Sequence, residues 1–154
     1  MKKTLGLIIF LVCLPLGLIF IWQRLVSQTK NLSPQPYIEI NQTQIWVEIA
    51  SSSAQKAKGL SDREDILPNN GMLFLYNTSS RHSFWMKGMK FALDFIFIED
   101  QEVVDLVKNV PPPLSGEIPQ SIWAKKKFNK AIEVKGGMID SWQIQVGDQV
   151  KYFL

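Results

Sequence analysis

Residues 5–22 read LGLIIFLVCLPLGLIFIW, a run without a single charge. An apolar stretch of roughly this length, about 20 residues, is what a helix needs to cross a bilayer. Pro15 and Gly17 lie inside it, and membrane helices tolerate both where neighbouring groups re-satisfy the backbone. Lys2 and Lys3 precede the run and Arg24 follows it. The more positive flank is N-terminal, so residues 1–4 are expected in the cytoplasm and everything after the anchor outside it. A cleaved signal peptide shares the basic start and apolar run, and would make the product secreted. The segment QRLVSQTK after Trp22 offers no small-x-small pair at a cleavage spacing, so a retained single-pass anchor is expected. Val12 stands where lipoprotein processing before Cys13 would need a small residue, which leaves Cys13 an ordinary residue of the membrane helix.

No cysteine follows residue 13, so the exported part can form no disulfide and no thiolate metal site, and packing must stabilise it. With one histidine in the chain, a zinc site is nearly excluded. EDQE, residues 99–102, lacks the glycine and final glutamate of a calcium loop. No cofactor is expected. Residues 31–154 hold thirteen basic and fourteen acidic side chains, a net charge of −1. The basic pI therefore belongs to the anchor, and a nucleic-acid partner is not expected, since such a partner requires a basic domain face. The one basic cluster, KKKFNK at 125–130, reads as a solvated loop.

Residues 23–36 are polar with two prolines and form a short tether. From Tyr37 the hydrophobic period becomes two. YIEINQTQIWVEIA sets Ile45, Val47 and Ile49 on one face, with Asn41-Gln42 at the turn of a hairpin. SSSAQKAKGL is a short helix with serine caps and Gly59 at its end, and Ser61 with Glu64 has the capping-box spacing for one further turn. Short apolar runs at 72–76, 82–86, 94–98 and 103–107 are strands, the last two joined by EDQE. Residues 108–129 hold four prolines and no period, a length that in a compact domain belongs to function or disorder. KAIEV and DQVKYF are further short segments, separated by Gly136-Gly137 and a helical turn at MIDSW. The pattern predicts a mostly β domain over 37–154, a small sandwich or partly closed barrel with one or two short helices.

KGLSDRE, GMLFLY, FWMK, LDFIFIE, VPPP, AIEV and a terminal VGDQV occur in that order. In order and spacing they resemble the bacterial and archaeal family catalogued as domain of unknown function 192, over about residues 38–152. The resemblance implies a mostly β domain, often exported or membrane-attached, and no settled activity. Where relatives commonly continue FWMK with Asn-Thr this chain has Gly88-Met89, and Ala92 replaces the usual proline before Leu-Asp.

His82 is the only histidine, so any Ser-His or Cys-His mechanism must pass through it, yet no nucleophile elbow surrounds Ser80 or Ser83. A strand-edge histidine is the plainer reading. Asp94 has apolar residues on both sides in FALDFIFI, and a buried charge must be paired or hydrogen-bonded. Backbone amides at the strand start would serve it. Among side chains Arg63, Arg81 and Lys87 are candidates, with Arg63 preferred for its bidentate fork. Glu133 alternates outward from Ile132 and Val134 and reads as a surface residue. In strand geometry His82, Phe84 and Met86 share one face while Ser83 and Trp85 take the other. If that second face is open, Trp85, Lys87 and the proline-rich loop form an aromatic, polar-rimmed cleft for a ring such as a sugar.

No complete catalytic set is present, so a binding or accessory module of the cell envelope, with a glycan among its ligands, is the favoured function. The candidate ligand-binding residues are Arg63, His82, Trp85, Lys87 and Asp94. An envelope enzyme using Asp94 with Arg63 is the second reading, and a docking module using the proline-rich loop is the third. The expected partners are the lipid bilayer, through 5–22, and an envelope glycan or protein.

Overall fold

A computed structural model describes residues 35–154. The anchor at 5–22 and most of the tether lie outside the described residues, among which no helix is long and apolar enough to cross a membrane.

The chain opens with the expected hairpin, β1 (Tyr37–Ile40) and β2 (Thr43–Ala50). Asn41 and Gln42 turn it with φ of 49° and 64°, the left-handed pair that matches the twist of the flanking strands. Helix α1 (Ser53–Lys58) follows, and its cap is reciprocal. The Gln55 amide donates to Ser52 Oγ at 3.3 Å, and Gln55 Oε1 accepts from the Ser52 amide at 3.0 Å. Gly59, with φ 51°, ends the helix. The further turn expected from Ser61 and Glu64 does not form. Ser61 Oγ instead donates to the Lys87 carbonyl at 2.6 Å, and Asp62 has φ 68°, a left-handed conformation that cannot continue a helix.

The chain then returns parallel to β2 as β3 (Asn70–Ser80), pairing Trp46 with Asn70 through Ala50 with Phe74. Strand β4 (Ser83–Trp85) leaves the main sheet. Strands β5 (Leu93–Glu99) and β6 (Glu102–Val110) form the hairpin predicted around EDQE, with Asp100 at φ 54°. β6 extends to Val110, and β7 (Ser121–Trp123) pairs with β4 as a separate two-stranded ribbon. The irregular stretch thus shrinks to 111–120 and 124–127. Strand β8 (Phe128–Lys135), helix α2 (Met138–Ser141) and β9 (Val150–Phe153) complete the domain.

The seven-stranded sheet has the order β6-β5-β8-β3-β2-β1-β9. Its ends approach each other where β6 begins. The Val103 amide donates to the Asp148 carbonyl at 2.9 Å, and the Val150 amide to the Gln101 carbonyl at 2.8 Å. The sheet is therefore a partly closed barrel, which shelters edge amides that an open sheet would expose.

Both faces are covered. One carries Ile38, Ile40, Val47, Leu73, Ile96 and Ile132 and packs against Ile139 and Ile144. The other carries Phe74, Phe95, Phe97 and Phe128, closed over by Phe84 and Ile122 of the ribbon and by Leu60. Phe84 lies 5.1 Å from Phe74 in an edge-on pair, a geometry that adds to burial through the ring quadrupoles.

Asp94 sits on the aliphatic face, completely buried. Its two oxygens accept from the Asn109 amide at 2.7 Å and the Ile139 amide at 2.8 Å. Backbone amides are thus its partners. The preferred side-chain partner, Arg63, is on the opposite side of the sheet and pairs with Glu48. Asp94→Asn would place an NH₂ group against an amide N–H, leaving buried donors opposed. It should cost about 2–3 kcal/mol, the scale for hydrogen bonds to a charged group. Urea unfolding followed by circular dichroism measures this, and an unchanged midpoint would show that the amide clamp does not hold α2.

Candidate functional site

Along β8 the side chains alternate, so Ala131 and Glu133 share the aromatic face while Ile132 and Val134 share the aliphatic one. Glu133 pairs in register with Met72 of β3 and Phe95 of β5. The alternation expected from the sequence holds, but the surface position does not. Glu133 is only 5% exposed, because the ribbon and the segment after α1 cover the face toward which it points.

A cleft of ≈ 290 Å³ opens above this carboxyl. Helix α1 contributes Lys56 and Lys58 to its lining, β3 contributes Tyr76, and the ribbon contributes Ser83, Trp85 and Ser121. Gly59 forms part of the wall. A Cβ placed there would stand 3.2 Å from Glu133 Oε2 and 3.5 Å from the Phe74 ring. A side chain at this position would crowd the acid, and the positive φ favours glycine independently.

The Leu60 amide faces the Glu133 carboxyl and favours its ionised form. Glu133 Oε2 is buried and, among the described residues, has no hydrogen-bond partner. Burial pushes the carboxyl up to about 8, against the opposing pull of the Leu60 amide and the Arg63 charge. Arg63 does not contact it. The guanidinium is held bidentately by Glu48, with Nη1 to Oε1 at 2.5 Å and Nη2 to Oε2 at 2.7 Å. That bond lowers Glu48 and raises Arg63. Tyr76 is pushed up to about 12 by burial and by the charge of Glu133, and Lys56 lies over its ring, 4.4 Å from the centroid.

The five candidate residues are distributed unevenly around this cleft. Trp85 lines it and is 48% exposed. Lys87 stands beside it, its ammonium 5.3 Å from the indole centroid. Phe84 and Met86 are buried while Ser83 and Trp85 are exposed, the alternation expected of this strand. His82 lies behind the cleft, stacked on Tyr76 at 3.7 Å and edge-on to Phe128 at 5.4 Å. Arg63 is engaged with Glu48, and Asp94 is on the far face, so the Asp94–Arg63 pairing does not exist. The sequence reading missed Glu133, Gly59 and Tyr76. KAIEV carried the same warning as FALDFIFI, an acid flanked by apolar residues in a short strand, and the same demand for a partner applied to it. Among the described residues no cluster of three His, Cys, Asp or Glu side chains is placed to hold a metal ion.

The fold and the cleft define a small, mostly β domain with a concave, partly apolar site. The family model for DUF192, described as an uncharacterized ACR, matches residues 36–152, and the chain belongs to that family. Two crystal structures are similar. A protein of unknown function from Novosphingobium aromaticivorans DSM 12444 is 30% identical, with a TM-score of 0.65, covering 75% of this chain and 83% of its own. A protein from Sinorhizobium meliloti 1021, assigned provisionally as a transcription regulator, is 22% identical with a TM-score of 0.69, covering 76% of this chain and 92% of its own. At that identity the second shows the fold alone. No curated protein matches the chain.

The shifted acid makes stability depend on pH. Folded Glu133 keeps its proton up to about pH 8, whereas the unfolded chain releases it near 4.5. Between those values the folded state binds more protons, so this group's contribution to stability falls as pH rises, by at most about 1.4 kcal/mol per pH unit. Glu133→Gln should flatten that decline, and urea midpoints at pH 5 and pH 8 for both proteins measure it. An identical decline in the variant would place the titrating group elsewhere.

Proposed function

We propose that the chain is a membrane-tethered binding module of the cell envelope whose cleft takes a small ring-shaped ligand of the sugar class. The observation that carries this reading is Trp85, a tryptophan left half exposed at the edge of a cleft that has a buried acid at its inner end. Burying so large a ring would add stability, and the fold leaves it open beside Ser83 and Ser121. An aromatic face stacks on the apolar face of a sugar ring, and hydroxyl groups satisfy polar walls. The cleft volume is at the small end of ligand sites, which run from about 300 to 1,000 Å³, and suits one ring. The uncharged run at 5–22 with its basic N-terminal flank supports the tethered, outward-facing placement.

Trp85→Ala should abolish saccharide affinity, read by thermal shift of the full chain, and leave the melting temperature within a few degrees. A large loss of stability would instead make Trp85 a packing residue. For the placement, membrane fractionation should recover the full chain with the membranes, and protease added outside spheroplasts should remove residues 37–154. Recovery in the soluble cytosolic pool would overturn the envelope reading.

A docking role has separate support in the loop at 111–120, where Leu114 and Ile118 are 72% and 93% exposed. Replacing residues 111–119 with a neutral linker would abolish co-purification of a partner under that reading and leave saccharide binding intact.

A further inference from the structure

We infer that Glu133 is the ligand-recognising group of the cleft and meets its ligand as an uncharged carboxylic acid, so that the site selects a neutral hydroxyl-bearing ring over an amine. The inference deepens the saccharide reading and rests on it.

The first support is an orphaned polar atom. Glu133 Oε2 is buried without a partner, although the acid lines a cavity that reaches solvent. Buried polar atoms without partners are uncommon in folded proteins, and each one asks for an explanation. Gly59 is the wall residue beside that oxygen, and its lack of a side chain leaves only backbone there, where a Cβ would press to 3.2 Å. A carboxylic acid in this position offers one donor and remaining acceptor capacity, which a hydroxyl group matches in both senses.

The second support is the distribution of charge around the acid. From β2, Glu48 takes both arms of the one nearby guanidinium, Arg63. From α1, Lys56 and Lys58 line the cleft, with the Lys56 ammonium drawn over the Tyr76 ring of β3. β5 presents Phe95 and the ribbon presents Phe84, neither of them charged. Among the described residues Glu133 thus has no cation in contact to hold it ionised, and the His82 ring is stacked on Tyr76. An incoming ammonium would meet two lysines at the rim and an acid that must first release its proton. Ionising a buried, unpaired carboxyl is costly. A neutral hydroxyl faces neither barrier.

The probes are glucose, cellobiose, N-acetylglucosamine and chitobiose as neutral saccharides, with glucosamine as the cationic counterpart of glucose, each titrated against the full chain by calorimetry. At least one neutral saccharide should bind in a Trp85-dependent way. Its affinity should be level from pH 6 to 7 and fall about tenfold by pH 9, one unit above the acid's titration at about 8. Glu133→Gln keeps an amide donor and should bind a few-fold more weakly with no pH dependence, whereas Glu133→Leu should lose binding while retaining its melting transition. Glucosamine should bind at least tenfold more weakly than glucose at pH 6.

In the ligand-free protein the Glu133 carboxyl carbon, followed by NMR, should titrate near pH 8. Titration in the ordinary carboxylate range, or wild-type binding by Glu133→Leu, overturns the role of the acid while Trp85-dependent binding would leave the saccharide module standing. A titration near 8 with no saccharide bound overturns the ligand class and the saccharide reading together.

Discussion

The hydrogen bonding of β8 to strands on both its edges is the constraint on which the site depends. β3 and β5 flank it in antiparallel register, so it can neither shift nor peel away without breaking two ladders. A strand fixed in the middle of a curled sheet has both faces available for packing, and this fold packs both. Every side chain from Ala131 to Val134 is buried. A glutamate in that run cannot reach water by rotating, and its chemistry is set by whatever the covering layer provides.

Two acids on adjacent strands show how different that provision can be. Asp94 of β5 pairs in register with Val134, one residue past Glu133 on β8. Alternation places the two carboxyls on opposite faces. On the aliphatic face, the end of β6 at Asn109 and helix α2 at Ile139 turn two amides toward Asp94 and satisfy both oxygens. On the aromatic face, the segment after α1 turns the Leu60 amide toward Glu133, and Oε2 finds no partner among the described residues. The first arrangement closes a structure. The second leaves an unsatisfied oxygen on a residue that lines a cleft, which is why the functional reading rests on Glu133 rather than on the acid that the sequence drew attention to.

How much was legible follows from which features are local. The hairpin at Asn41-Gln42, the Ser52 cap with its Gly59 end and the turn at EDQE each lie within a few residues, and each forms as the sequence indicates. The alternation of Trp85 outward and Phe84 inward was legible for the same reason. What escaped was the covering of the second face. Trp123 and Ile122 were hidden in a proline-rich stretch of no visible period, so β7, and with it the ribbon above Glu133, had no signature in the chain. An acid that alternates away from isoleucine and valine looks solvated unless one knows that something lies on top of it. The same blindness left Arg63 as the preferred side-chain alternative to backbone amides for Asp94, because the parity of β5 and the position of the loop carrying Arg63 are set by pairings between residues distant in the sequence.

The Glu48–Arg63 pair explains why the orphaned oxygen survives. Glu48, Met72, Glu133 and Phe95 lie side by side across β2, β3, β8 and β5, with β3 between the two acids. A single guanidinium serves that row, and the bidentate geometry at Glu48 holds it at the wetter end, where desolvation costs least. Arg63 bonded to Glu133 instead would bring a full ion pair beneath the ribbon and would lock the acid ionised. Placed at Glu48, it leaves Glu133 only its long-range field, which lowers the acid's proton affinity without overcoming burial. The row thus divides its work: the outer acid holds the cation and the turn after α1, and the inner acid stays available at the base of the cleft.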